Sequence, residues 1–128
     1  LPQYRIDPFP DEAEFDQLWR RAWCAPPARP FAPILQRSLG HLGAFERDRL
    51  IAFVNIAWDG GIHAFILDLC TDPDFQRRGI GSELMRRAIA LANDRGAKWL
   101  HVDFEPHLEV FYRACGFRPS AAGIMNLG

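Results

Sequence analysis

The sequence predicts an α/β protein, a mostly antiparallel sheet flanked by helices and carrying one parallel strand pair. Three observations lead there. From His41 to Thr71, three strand-length runs rich in branched and aromatic residues follow one another across short polar turns, which is the pattern of an antiparallel meander. The third run is followed by a glycine-opened amphipathic helix and then a further strand, and a crossover of that length lays the two strands parallel. A length of 128 residues supplies one core and is too short for two, so residues 1–128 are expected to form a single domain.

Taken in order, Gln3 to Asp7 reads as a short strand ended by Pro8 and Pro10. Phe15, Leu18, Trp19, Ala22 and Trp23 then recur at i, i+3, i+4, i+7 and i+8, placing them on one face of a helix. Acids in its first turn and Arg20 and Arg21 near its end suit the helix dipole, and Pro26 and Pro27 stop it. The period assigns Trp19 and Trp23 to the core, with contact to a substrate as the alternative. Ala25 to Phe31 is a proline-rich loop, and a short helix is expected from about Pro33 to Ser38. Strands follow at about His41 to Glu46 and Leu50 to Trp58, joined through Arg47-Asp48-Arg49. A turn at Asp59-Gly60-Gly61 leads into a strand from Ile62 to Cys70 or Thr71.

The next helix runs from Gly79 to about Arg95, with Ile80, Leu84, Ala88, Leu91 and Ala92 on its buried side and Gly96 as its stop. Lys98 to Phe104 is expected to be the parallel strand. Pro106 suits the first position of a last helix, with Glu105 at its cap, and Leu108, Phe111, Tyr112 and Cys115 have the spacing of its packing face. Phe117 and Ile124 to Leu127 are expected to supply one or two closing strands.

The chemistry is concentrated where the Ile62 strand meets the Gly79 helix, through Gln76-Arg77-Arg78-Gly79-Ile80-Gly81. A helix start leaves several amide N–H groups without partners at the positive end of its dipole, so an anion there gains hydrogen bonds and field together. Glycines let it approach the backbone. The position three after Gly81 is Leu84, which rules out a dinucleotide fingerprint, and the absence of lysine rules out a nucleoside-triphosphatase loop.

What is left, Q/R-x-x-G-x-G after a strand, resembles the pyrophosphate loop of the GNAT acyltransferase superfamily, which binds acyl-coenzyme A. Downstream, Phe111-Tyr112-Arg113-Ala114-Cys115-Gly116-Phe117 resembles the F-Y-x-x-x-G-F segment that closes GNAT domains. The likeness extends from about Ile62 to Phe117 and is architectural before that. It implies that the two parallel strands splay apart and that pantetheine lies in the gap. Backbone groups of Leu69, Cys70 and Thr71 would then meet pantetheine and the thioester. Gln76, Arg77, Arg78, Gly79, Ile80, Gly81 and Ser82 would form the pyrophosphate site, largely through their amides. Tyr112 matches a tyrosine placed near the coenzyme sulfur as general acid, and a phenol of ordinary pKa about 10 is protonated at neutral pH. Packing is its other reading. Asp68 coincides with an acidic position of polyamine-acetylating relatives, although Leu67 stands where those carry a functional glutamate. Glu105 replaces a common asparagine and could bind an ammonium group, relay a proton or cap a helix. His101 and Asp103 alternate with it along one strand, and His63 and His107 are further candidates.

The resemblance therefore implies an N-acetyltransferase that moves an acetyl group from acetyl-CoA to a primary amine. Its alternative is a catalytically inactive CoA-binding sensor or interaction module. Fifteen basic against sixteen acidic side chains, a net charge of -1, speak against a nucleic-acid partner. Arg77, Arg78, Arg86, Arg87, Arg95 and Lys98 nevertheless collect around the loop and its helix, which suits a phosphorylated ligand. Three cysteines without ligand-like spacing indicate neither a disulfide framework nor a metal site, and a reducing cytoplasm fits them best. No apolar run approaches the roughly 20 residues that cross a bilayer. A homodimer is allowed.

Overall fold

Arg47 and Asp48 both adopt left-handed backbone, with φ of 50° and 65°. A two-residue turn of that hand matches the twist of its flanking strands. In the computed structural model, which describes residues 1–128, it joins β2 (Gly40–Glu46) to β3 (Arg49–Trp58). The next turn is built by Asp59, whose Oδ1 accepts from the amides of Gly61 at 2.7 Å and His63 at 3.3 Å, while Gly60 supplies φ +83°. It leads into β4 (His63–Thr71). With β1 (Gln3–Ile6) and β5 (Trp99–His101), the strands form one sheet in the order β1-β2-β3-β4-β5, antiparallel except for the β4–β5 pair. This is the predicted architecture.

Helices cover both faces. On one lies α1 (Glu12–Trp23), capped by Asp11, whose carboxylate accepts from Glu14 N at 2.8 Å, and ended by Cys24 in left-handed conformation. Its Phe15 and Leu18 pack with Phe31, with Leu35 of α2 (Ala32–Arg37), and with Phe45, Leu50, Phe53 and Cys70 from the sheet. The periodicity fails at the last turn. Trp23 is 51% exposed, because the apolar stripe outruns the surface it packs on and Trp23 meets the core only through a tilted contact with Trp19 and its reach to Cys70. On the other face α3 (Ile80–Asp94) buries Ile80, Leu84, Met85, Ala88, Leu91 and Ala92 against Leu42, Ala44, Ile51, Val54, Ile56, Ala64 and Ile66.

Two further expectations are corrected at the far end. The parallel strand is Trp99–His101, not Lys98 to Phe104, since pairing with β4 stops at Phe65↔His101. Beyond that point β4 carries a bulge at Asp68, whose φ is +62° and across which the β3–β4 register shifts, and a bulge bends its strand. Val102 and Phe104 leave the sheet and pack against the larger core. Nor do Phe117 and Ile124 to Leu127 form strands. Residues 117–128 have no regular structure, and Ile124, Met125 and Leu127 are more than four-fifths exposed, with no sheet face to lie on. Glu105 takes the cap position, but its side chain bonds no amide. Pro106–Leu108 make a single 3-10 turn before α4 (Glu109–Ala114), and Leu108 faces solvent.

Candidate functional site

The segment between β4 and α3 presents a row of free donors. Asp72 starts a 3-10 turn, Pro73–Phe75, and Gln76 folds back so that its Nε2 donates to Thr71 O at 3.3 Å. Arg77 and Gly79 are then left-handed, with φ of 64° and 78°. The first hydrogen bond of α3 is Glu83 N to Gly79 O, and the six amides from Arg77 to Ser82 make none within the protein. Consecutive amides in alternating hand form a concave anion nest, here at the positive end of a four-turn helix. A cleft of about 270 Å³ lies over them, walled by Phe75 and Phe111 and floored by Gly79, Ile80 and Gly81. A Cβ on Gly79 would point into open space, and one on Gly81 would touch only Phe111, at 3.8 Å. A larger depression of about 370 Å³ is lined by Arg29, Pro30, Pro33, Ile34 and Arg37 and holds no candidate residue.

The cleft opens toward the gap left by β5. From Ile66 to Thr71, the side of β4 that would pair with β5 has no strand partner, so its peptide groups face a groove. Leu69 points to the α3 face and Cys70 to the α1 face. Across the groove, Tyr112 of α4 is 7% exposed, stacked on Phe104 at 4.8 Å and edge-on to Phe111 at 5.0 Å. Its hydroxyl has no protein partner and is not sealed from solvent. Burial raises the phenol's pKa, and Cys115 and Asp103 raise it further, so it is held protonated.

The α1 side of the groove is polar. Asn55 of β3 is 1% exposed; Ser38 Oγ donates to its Oδ1 at 2.5 Å, and its Nδ2 is sealed without a partner. Asp68 lies close enough for the Asn55 amide to lower its pKa, though outside the geometry of a formed hydrogen bond. Burial prevails, and the carboxyl sits above its usual range. The same burial, with Asp68 adding to it and Trp23 opposing it, pushes the Cys70 thiol up to about 12. Cys70 is thus a thiol, not a thiolate. Farther along, His63 Nδ1 and His101 Nε2 lie 2.8 Å apart, and His101 stacks on Phe65.

Of the expected residues, Thr71, Gln76, Arg77, Gly79, Ile80, Gly81 and Ser82 line one cleft, Leu69 and Tyr112 pack in the same cluster, Arg78 lies over the Phe75 wall, and Asp68 and Cys70 lie on the α1 side of β4. Glu105 is exposed and bonded to nothing that ties it to these groups. The basic cluster is smaller than its sequence suggests. Arg86 and Arg87 both bind Glu83, Arg95 binds Asp7 and Leu39 O, and Lys98 follows the opposite end of α3, which leaves Arg77 and Arg78 beside the loop. Sequence reading missed Asn55 and Asp72. An isolated Asn within an apolar strand was the available signal for the first. Asp72 had none, because its arginine partners lie 51 and 23 residues away.

An anion nest at a helix start, a parallel pair that parts beyond Phe65 and a buried phenol beside it are the features of a GNAT-like fold. The acetyltransferase (GNAT) family model matches residues 2–117, and the chain belongs to that family. Its members generally use acetyl-CoA and an amine acceptor. An uncharacterized ycf52-like N-acetyltransferase from Prochlorococcus marinus is 30% identical over 84% of this chain and 62% of its own length. A mycothiol acetyltransferase from Mycolicibacterium vanbaalenii is 34% identical over 56% of this chain and 24% of its own. The chain thus spans less than two thirds of these relatives. Among solved structures, an acetyltransferase from Trypanosoma brucei superposes with TM-score 0.83 at 17% identity, over 98% of this chain and 99% of that one. Glucosamine-6-phosphate N-acetyltransferase from Arabidopsis thaliana superposes with TM-score 0.77 at 13% identity, over 97% of each. At those identities the likeness is one of fold. No helix is long and apolar enough to cross a membrane.

Proposed function

We propose that residues 1–128 act as one N-acetyltransferase domain, which transfers the acetyl group of acetyl-CoA to a primary amine by direct attack. The observation that carries this reading is the unbroken run of six unbonded amides at the start of α3, opening onto the unpaired side of β4. Such a run fits the diphosphate of the donor, with Arg77 and Arg78 adding charge and Gln76 holding the loop to Thr71. Pantetheine amides fit the free peptide groups from Ile66 to Thr71, as an added strand would. The thioester carbonyl then lies by the amides of Leu69 and Cys70, which stabilise the charge that develops on its oxygen.

Acetylation needs a neutral amine. Asp68, at the bulge and above its usual pKa, accepts the ammonium proton directly or through water. The amine nitrogen bonds to the acetyl carbon, the carbon–sulfur bond breaks, and Tyr112 gives its proton to the departing thiolate; the second proton on the acylated nitrogen passes through water to the Tyr112 phenolate, and Asp68 returns the first to solvent. Its raised pKa keeps that proton available. Glu105 has no place in this scheme. Calorimetry with acetyl-CoA, followed by thiol release across a panel of amines, tests the reading. Micromolar binding with turnover on at least one amine supports it, and binding without any turnover points to the sensor alternative. No heat from a folded sample overturns both.

A further inference from the structure

Asp72 is the one carboxylate that the fold buries completely, at 1% exposure, and it lies outside the cleft. Its oxygens accept from Arg21 Nε at 2.7 Å, Arg21 Nη2 at 3.1 Å, Arg49 Nη2 at 2.7 Å and the Asp74 amide at 2.9 Å, while its own amide donates to Ile51 O at 2.8 Å. Arg21 also binds Asp74 at 2.9 Å. Burial raises the Asp72 pKa, but the Arg21 bond, the Asp74 amide and the two guanidinium charges outweigh it, and the carboxyl ends below its usual range. A buried carboxylate with four donors has one geometry open to it. The residues it ties together come from α1, from the start of β3 and from the 3-10 turn that leads into the nest. Arg21 and Arg49 spend their charge on carboxylates, and neither lines the cleft, so neither is placed to hold phosphate itself. Arg49 and Arg78 lie over the Phe75 ring, at 5.9 and 5.1 Å from its centroid, so the clamp also reaches the cleft wall.

We infer that Asp72, clamped by Arg21 and Arg49, is a positioning residue that preforms the diphosphate nest, so that the clamp governs affinity for donors carrying a diphosphate and not for the pantetheine arm alone. The inference rests on the reading of the groove as a CoA site. Releasing one residue of the turn from its fixed conformation makes binding order it again, at a cost that corresponds to about tenfold in Kd, or ~1.4 kcal/mol.

The test compares Asp72→Asn, Arg49→Met and Arg21→Met with the unsubstituted chain, using CoA and pantetheine as probes, with calorimetry for the first and competition or NMR titration for the second. Both arginines are about two-fifths exposed, so their variants serve if Asp72→Asn does not fold. Melting curves and circular dichroism confirm folding. A Kd for CoA raised about tenfold, with the Kd for pantetheine unchanged and partial recovery in Arg49→Lys, is the expected result. Equal weakening of both probes, or a lowered melting temperature with an unchanged CoA Kd, overturns the inference while the functional reading stands. Absence of CoA binding by the unsubstituted chain overturns both.

Discussion

The two faces of the sheet are built differently. The α3 face is a sixteen-residue cluster that is aliphatic but for Met85 and Tyr112. The α1 face has eight buried apolar residues, four of them phenylalanine, together with the buried polar Asn55 and Asp72. The first presents mainly main chain to the groove, as amides at a helix start and unpaired strand edge. The second contributes side chains, with Asp68 half-buried beside the groove, Asn55 buried behind it and Trp23 exposed at the end of α1. A donor common to a family can be held by backbone, which tolerates sequence change, whereas an acceptor has to be recognised by particular groups.

The largest effect is expected from Tyr112→Phe. Loss of a general acid lowers kcat by about 10²–10⁴-fold, while Kd for CoA should hold, because the ring still packs on Phe104. Rapid-quench turnover beside calorimetry reads the two separately, and an unchanged kcat would reduce Tyr112 to a core residue. Next, Asp68→Asn should lower kcat/KM by about 10²-fold at neutral pH and remove the acid limb of its pH profile. That limb lies above the usual carboxylate range, since burial raises the Asp68 pKa. The sign for stability is the reverse of activity. A carboxyl with a raised folded pKa stabilises the fold while protonated and loses that contribution as pH rises through the folded value, so Asp68→Asn should melt higher than the parent at pH 7 and equally at pH 3. A lower melting temperature at pH 7 would contradict it.

Gly79→Ala belongs to the other face and should act on the donor. At φ +78° a Cβ costs about 1–2 kcal/mol and favours a rearranged nest, so Kd for CoA should rise about tenfold with kcat at saturation preserved. The smallest effect is that of Trp23→Ala. Half exposed, it should change unfolding free energy by less than about 0.5 kcal/mol in urea titrations, yet raise KM for the amine severalfold without touching Kd for CoA. A matching change in both constants would erase the distinction between the faces.

The proposed donor side was the more legible in form, because the determinants of its loop geometry are local. Two glycines and a strand-to-helix switch within six residues specify a nest, and the period of α3 specifies what it packs on. The α1 side, proposed for the acceptor, depends on what is distant in the chain. Trp23 is in phase with Phe15 and Leu18, yet only its edge near Cys70 meets the sheet and half of it stays exposed, and phase alone does not report the extent of the surface opposite. The short β5 follows from the bend that the bulge at Asp68 puts into its neighbour, which nothing in residues 98–104 announces. Ile124 to Leu127 is apolar but for Asn126, yet an apolar run needs a partner edge before it becomes a strand.

The pairing of Glu83 with Arg86 and Arg87 bears on how the donor would respond to salt. Those guanidinium groups already have their counter-charge, as does Arg95, so few free cations face the cleft and little ionic atmosphere is displaced when an anion arrives. Between 50 mM and 500 mM sodium chloride, CoA should leave this protein only slightly more readily, held by fixed peptide dipoles rather than by mobile charge.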